Sequence, residues 1–325
     1  MDKSKNILVT GGAGYIGSHM VCTLLNEEYT PIVFDNLSTG YRESIPEEVT
    51  FIKGDLRKES DIRQVFDRYP IDTVMHFAAS IVVPESVSNP IEYYENNVLA
   101  SINLLKVLLQ HKVKRLIFSS SAAVYGEPKI IPIVEESPTL PTNPYGNSKL
   151  IVEGILKDIA KAYDFSYVSL RYFNAAGLHP SAGIAKRHNN ETTHLIPNVV
   201  KVASGRKKEL TIFGDDYPTP DGTCIRDYIY IQDLCEAHLL SLKALKEGMR
   251  SNVFNLGNGK GYSVKEVVQA AERVTGKKIR VKIGPRRKGD PARLVASSEK
   301  AKKILGWTAK AGLDEIIKSV WDSEQ

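Results

Sequence analysis

The chain has 325 residues, 42% of them apolar and 25% charged, with a formal net charge of +5. That length suggests about two domains with a sizeable core. The charge is mild and scattered, and clusters as short as Arg206-Lys207-Lys208 and Arg286-Arg287-Lys288 are ordinarily solvated faces or ligands for a phosphate group, so no nucleic-acid surface is expected. Three cysteines far apart, Cys22, Cys224 and Cys235, do not form a disulfide framework and point to a reducing, cytoplasmic setting. Cys235-x-x-His238 lacks a second ligand pair at zinc spacing, so no metal is expected. No window of about 18 apolar residues exists to span a membrane. The early lysines and glycine-broken apolar run at the N-terminus are a poor match to a signal peptide.

In chain order, short apolar runs alternate with amphipathic segments. Runs at 6–10, 31–35, 49–55, 72–78, 115–121 and 166–173 are rich in Val, Ile and Phe and lack clean alternation, as strands covered on both faces do. Between them the patterns predict helices over 15–26, 58–68, about 90–110 and 145–163. In the third of these, Val98, Ile102, Leu105, Val107, Leu108 and Leu109 give a broad apolar stripe. Repeated β-α-β of this kind predicts an α/β fold, a Rossmann-type doubly wound parallel sheet. Beyond residue 177 the pattern loosens into a polar loop over 177–192, strands near 210–213 and 252–256, and helices near 193–204, 263–274, 298–304 and 312–322. The expected division is a dinucleotide-binding domain over 1–176 and a smaller mixed α/β substrate domain over 177–325, with some segments, such as 226–245, packing back on the first.

The first strand runs into "TGGAGYIG", where Gly11, Gly14 and Gly17 form a Gly-x-x-Gly-x-x-Gly array opening a helix. Such glycines serve a tight turn, a close backbone approach to pyrophosphate, and close helix–strand packing, while the helix N-terminus offers N–H groups and a positive dipole end. Asp35 ends the second strand, 18 residues after Gly17. A carboxylate there accepts from the ribose hydroxyls and repels a 2′-phosphate, favouring NAD over NADP. Asp55 closes the third strand near the expected adenine, and "HFAA" at 76–79 closes the fourth beside the pyrophosphate.

Chemistry is expected from "FSSSAAVYG" and "NPYGNSKL". Asn143 suits a helix cap and Pro144 the first helical position, so Tyr145 and Lys149 share a face one turn apart. Ser121 ends the fifth strand at the same carboxyl edge. A phenol has a pKa of about 10, and bringing it down three units takes about 4 kcal/mol, within reach of the Lys149 ammonium and an oxidised nicotinamide together in a dry site.

The glycine array with Ser121 and Tyr145-x-x-x-Lys149 resembles the extended short-chain dehydrogenase/reductase family. "VTGGAGYIGSH", "DNLS", "PESVSNPIEYYENNV", "LRYFNAAG", "LTIFGDDYPTPDGTCIRDYI", "NLGNGKGYSV" and "PRRKGDPA" extend the likeness, in order, to its UDP-galactose 4-epimerase branch over nearly the whole chain. The resemblance implies interconversion of UDP-galactose and UDP-glucose by oxidation at C4, rotation of the 4-keto sugar and re-reduction, with NAD kept bound. It implies Tyr145 as base, Lys149 on the nicotinamide ribose and Ser121 on the sugar. Cofactor contacts carry over to Tyr15, Ile16, Asn36, Leu56, Phe77, Ala78, Ala79, Asn96, Ser119 and Phe173, besides the glycines, Asp35 and Asp55. UDP-sugar contacts carry over to Asn174, His194, Leu195, Phe213, Arg226, Tyr228, Arg287, Asp290 and Leu294. It also implies a homodimer joined through helices around 96–110 and 146–163.

Three positions depart from that pattern. Ala123 stands where many relatives have Thr, Ile81 where some carry Lys, and His194 where some carry Asn. Leu294 aligns beside the sugar C2 substituent, where a bulky Tyr goes with unsubstituted sugars, so N-acetylated UDP-sugars are expected to fit as well. A sugar-nucleotide dehydratase would want an Asp-Glu pair where Ala122-Ala123 stand. A UDP-glucuronate epimerase would want a further cation, for which no residue stands out. A non-catalytic NAD-binding sensor would not need Ser121, Tyr145 and Lys149 together.

Overall fold

Short Val-, Ile- and Phe-rich runs bounded by turn residues become the central strands of the computed structural model, which describes residues 5–179, 194–287 and 290–324. These strands are β1 (Asn6–Thr10), β2 (Thr30–Asp35), β3 (Thr50–Lys53), β4 (Thr73–His76), β5 (Arg115–Ser121) and β6 (Ser166–Tyr172). A further strand, Asn252–Leu256, completes a seven-stranded sheet in the order 252–256, β6, β5, β4, β1, β2, β3. The sequence pattern put that strand among the shorter elements of the C-terminal half; pairing makes it the sheet's edge. β1 runs parallel to β2 and β4, β2 to β3, and β4 to β5. Strand order therefore reverses at β1, and the carboxyl ends of β1 to β5 lie along one edge, where open α/β sheets bind ligands.

Helices cover both faces of this sheet. Those between β1 and the end of β6 are α1 (Tyr15–Asn26), α2 (Glu59–Arg68), α3 (Val83–Ser88), α4 (Pro90–Tyr94), α5 (Ala100–Gln110) and α6 (Pro144–Ala162). Ile62, Val65 and Phe66 of α2, Leu104 and Leu108 of α5, and Val152 and Leu156 of α6 pack with Leu8, Ile32, Phe34, Val74 and Leu116 of the strands. On the other face α1 buries Met20, Val21 and Leu24, and the helix Ile231–Lys246 lies beside it, with Lys243 paired to Glu27 at 2.9 Å. The amphipathic stripe predicted over about 90–110 is not one α-helix. A π turn over Glu95–Leu99 separates α4 from α5. Asn96 and Asn97, consecutive in that turn, both reach Ser80.

The chain divides into two compact units, one of residues 1–127, 138–171 and 235–254, the other of 128–137, 172–234 and 255–325. The second holds small sheets: 228–230 with 174–176, 281–284 with 210–213, and 225–226 between 262–263 and 293–294. Its helices Leu195–Ala203, Val264–Thr275 and Leu313–Asp322 pack together. Ser263 and Glu266 cap the second of these reciprocally, and Gly276 closes it in the left-handed conformation. Trp307 is buried, its indole N–H donating to the Asp233 carbonyl at 2.8 Å. Most of the polar stretch expected as a loop over 177–192 lies outside the described residues.

Candidate active site

At the end of β1 the backbone turns back on itself, and each glycine of the array meets a different demand. Gly11 has φ +69°, and a Cβ there would lie 2.5 Å from the Ala78 nitrogen. At Gly17 a Cβ would lie 2.2 Å from the Gly11 carbonyl oxygen. Gly14, the N-cap of α1, is different: a Cβ would meet just the Gly11 oxygen, at 3.3 Å. The protein's own packing thus requires Gly11 and Gly17 but crowds Gly14 far less, with one contact at 3.3 Å, so its place at the helix N-terminus suits a phosphate drawn there. Tyr15 and Ile16 begin that helix, and the Tyr15 ring meets His19 edge-on at 5.2 Å.

Asp35 is buried at the end of β2 and accepts from the Ala13 N–H at 3.0 Å and the Leu37 N–H at 2.8 Å. Burial raises its pKa, against these two bonds. Leu37 holds φ +60°, a strained conformation for a branched side chain, which leaves its N–H turned back to Asp35. Asn36 accepts from the Ser38 N–H at 2.9 Å. The Asp55 carboxylate is gripped by the Arg57 guanidinium at 2.6–3.1 Å, which holds its pKa low, and Asn36 also bonds to it. Leu56 is buried, its carbonyl accepting from Asn103. Phe77 and Ala78 donate their N–H groups to the Thr10 carbonyl, and Phe77 stacks tilted on His238 at 4.9 Å. Ala79 continues the same loop. Asn96 donates to the Ser80 hydroxyl at 3.0 Å. Asn97, which the motifs did not single out, pins Ser80 through both backbone groups and also donates to Ser148 of α6 at 3.0 Å.

The helix α6 starts as its sequence dictates: Asn143 accepts from the Gly146 N–H at 2.9 Å and Pro144 occupies the first turn. Gly146 is needed for contact, since a Cβ there would lie 2.5 Å from the Ala123 carbonyl oxygen. The first turn of α6 therefore presses on the turn after β5, and Tyr145 meets Ser121. The Ser121 hydroxyl beside it lowers the phenol's pKa, against the larger effect of burial, which raises it. Ser121 also accepts from the Ala123 N–H at 3.2 Å. Lys149 is buried, donates to the Ser119 carbonyl at 2.8 Å, and lies 4.9 Å from the centre of the Phe118 ring. Burial brings its ammonium down to about 7, against the opposing charge of Glu153.

His76 ends β4 in the same interior, held to about 3 by burial and by the charge of Lys149. Its Nε2 lies 2.8 Å from Ser101 Oγ, whose own proton goes to the Asn97 carbonyl at 2.5 Å. The neutral ring therefore carries its proton on Nε2 and accepts at Nδ1 from Thr10 Oγ1, at 2.7 Å. No spacing in the sequence joins Thr10, His76, Ser101 and Asn97, since β1, β4 and the turn into α5 bring them together only in the fold.

The expected UDP-sugar residues lie in the second unit, where several adjoin. The N–H and side chain of Asn174 both donate to the Asp227 carbonyl at 3.0 Å, and Asn174 pairs in register with the buried Tyr228. Arg226 donates to the Pro291 carbonyl at 2.8 Å and lies 3.6 Å from Asp290. In the parallel pair 225–226 with 293–294, Leu294 stands in register beside Arg226, so both side chains share a face. The Arg287 guanidinium lies 4.0 Å over the Phe213 ring. His194 and Leu195 begin the helix Leu195–Ala203, with the His194 carbonyl accepting from Asn198 at 2.8 Å. Phe173, expected at the cofactor, belongs to this unit and donates its N–H to the Leu256 carbonyl at 3.3 Å.

The glycine turn at the sheet's switch point, with the Ser121–Tyr145–Lys149 group on the same edge, defines a class: a Rossmann-type dinucleotide-binding protein. The model of the NAD dependent epimerase/dehydratase family matches residues 7–257, and the chain belongs to that family. It is 52% identical over 317 residues to the UDP-glucose 4-epimerase of Halalkalibacterium halodurans, covering 97% of this chain and 94% of that one. Its fold matches the UDP-glucose 4-epimerase of Brucella ovis, solved with NAD, with a TM-score of 0.93, 44% identity and 98% of each chain covered. It matches the enzyme of Bifidobacterium longum, solved with NAD+ and UDP, with a TM-score of 0.92, 43% identity and 98% coverage of each chain.

Proposed function

We propose that this protein is an NAD-dependent epimerase that interconverts UDP-glucose and UDP-galactose. The observation that carries the reading is Lys149, buried and donating to the Ser119 carbonyl at 2.8 Å, one helical turn on from the buried Tyr145 and the neighbouring Ser121, at the sheet edge that also holds the glycine turn. The less crowded Gly14 and the Asp35 carboxylate fit the pyrophosphate and adenosine ribose of NAD, and the residues of the 77–79 loop line the same edge. Bound NAD supplies the means to oxidise the sugar at C4 and to reduce the 4-keto sugar from its other face.

The protein's own part is proton handling and restraint. Ser121 Oγ bonds the C4 oxygen, and Tyr145 Oη takes its proton as the alcohol is oxidised and returns it on reduction. The Lys149 ammonium favours the phenolate and holds the nicotinamide ribose. In the second unit, Arg226 and Arg287 clamp the pyrophosphate, with guanidinium geometry suited to bidentate contact. Asn174, His194, Leu195, Phe213, Tyr228 and Asp290 hold the rest of the UDP-sugar. Leu294, in register with Arg226, is smaller than the Tyr that goes with unsubstituted sugars at the position the resemblance puts beside C2, which supports UDP-N-acetylglucosamine as a further substrate.

The protein works as a cytoplasmic homodimer. No described helix is long and apolar enough to cross a membrane. On the first unit Ile91 is 69% exposed, Leu99 45% and Ile151 36%, and a Cβ at Gly154 would meet nothing within 4 Å, a face suited to close helix–helix contact. Equilibrium sedimentation at twice the monomer mass is the expected result, and a monomer would remove this part of the reading. The function is tested by heat-denaturing the purified protein, assaying the supernatant for NAD, and following UDP-glucose conversion. Tyr145→Phe is expected to lower kcat by about 10²–10⁴-fold with the fold retained. A Tyr145→Phe protein at the parent's rate refutes the assignment.

A further inference from the structure

Three consecutive residues at the end of β5 each meet a residue of α6, and the three residues of α6 are spaced four apart. Ser121 adjoins Tyr145 and lowers its pKa, the Ser119 carbonyl accepts from Lys149 at 2.8 Å, and Ser120 Oγ donates to Glu153 at 2.5 Å. The pair read from the motif is therefore two-thirds of a ladder, Tyr145, Lys149 and Glu153 on one helix face.

Glu153 is buried and firmly held. Arg171 of β6 donates to it through Nε at 2.9 Å and Nη2 at 2.6 Å, and the same guanidinium donates through Nη1 to the Tyr125 hydroxyl at 2.8 Å. A buried carboxylate with a bidentate Arg partner and a hydroxyl donor is fixed in place. A purely structural pair could sit anywhere in the core, but this one ends one helical turn beyond the lysine the reaction needs.

We propose that Glu153 is a positioning residue for the reaction: fixed by Arg171 and Ser120, it keeps Lys149 charged and aimed along the β5 edge, and through Lys149 it sets the readiness of Tyr145 to release its proton. Lys149 faces His76 from β4, the Ser119 carbonyl and Phe118 ring from β5, and Tyr145 and Glu153 along its own helix. Of these, His76 is neutral and Tyr145 starts neutral, so Glu153 supplies the negative charge. Glu153 in turn faces Ser120 from β5, Tyr125 from the turn after it, and Arg171 and Tyr167 from β6. Removing its charge lets desolvation drive Lys149 further toward the neutral amine, and the phenol then loses its cation.

This inference rests on the proton-transfer reading of Tyr145 and Lys149. Its test has a readout that needs neither cofactor nor turnover. The cofactor-free protein is labelled at the lysine ε-carbon, and the Lys149 resonance, assigned by its absence from Lys149→Arg, is titrated. Glu153→Gln keeps the shape and a partner for Ser120 while removing the charge. The expected result is a Lys149 midpoint lower by at least one pH unit, and, in the NAD-loaded enzyme, an acidic limb of kcat displaced to higher pH with KM for UDP-glucose changed less than twofold. Glu153→Gln leaves the Arg171 guanidinium without its counter-charge, so Glu153→Gln/Arg171→Met is the companion variant, removing both charges. The same displacements in it support the inference. An unmoved Lys149 midpoint in both variants overturns it, as does a double variant that regains the parent's pH profile together with its Tm. A parent protein without epimerase turnover would instead refute the proposed function, and the Lys149 midpoint would still decide the part of Glu153.

Discussion

Lys149 shows how one residue can cost stability where it serves chemistry. Its ordinary value of 10.5 falls to about 7 in the folded chain because burial strips the ammonium of water. Between those values the unfolded chain binds more protons than the folded one, so stability attributable to this group rises with pH across that window. Below about pH 7 both states are protonated and the whole cost is felt. Lys149→Met is therefore expected to melt above the parent at pH 6, with the gain shrinking toward pH 10, while epimerase activity is lost. Scanning calorimetry at the two pH values checks this. An equal Tm difference at both would mean that Lys149 stays charged in the fold.

At the level of elements, the turn from β1 into α1 separates packing from ligand binding. Gly17 and Gly14 stand three apart in one motif, yet their surroundings differ: 2.2 Å from a hypothetical Cβ to the Gly11 oxygen in one case, 3.3 Å in the other. Gly17→Ala is expected to push α1 off the sheet at a cost of about 1–3 kcal/mol, read as a lower urea midpoint. Gly14→Ala is expected to leave that midpoint within about 0.5 kcal/mol, yet to lower NAD content at least tenfold. A Gly14→Ala protein retaining NAD at the parent's level would show that nothing needs the space above it. The π turn over Glu95–Leu99 carries a similar lesson: the apolar stripe is a local pattern, while the three bonds linking Asn96 and Asn97 to Ser80 are made across the fold.

For the molecule as a whole, long-range polar ties act beside the apolar core. Asp227 is buried and accepts from the N–H groups of Asn258 at 2.7 Å, Gly259 at 3.0 Å and Ala296 at 3.1 Å, tying together segments 31 to 69 residues apart. Removing the carboxylate strands three donors, so Asp227→Ala is expected to cost about 2–5 kcal/mol, measured by urea unfolding. A loss under about 1 kcal/mol would mean that water or a backbone shift replaces it.

Much of this protein is written locally in its chain. The short apolar runs, the alternation of strand and helix, the Asn143-Pro144 start of α6 and the glycine array depend on neighbours a few residues away, so spacing alone reveals them. The Tyr145-x-x-x-Lys149 spacing is local in the same sense. What spacing could not supply is who stands opposite. Strand Asn252–Leu256 joins the main sheet because an edge was open to it. His76 keeps its tautomer because Thr10 and Ser101 arrive from other elements. Glu153 belongs to no motif in the sequence. Tertiary packing made it the third rung above Tyr145 and Lys149, because a buried charge takes its meaning from the partners that the fold brings to it.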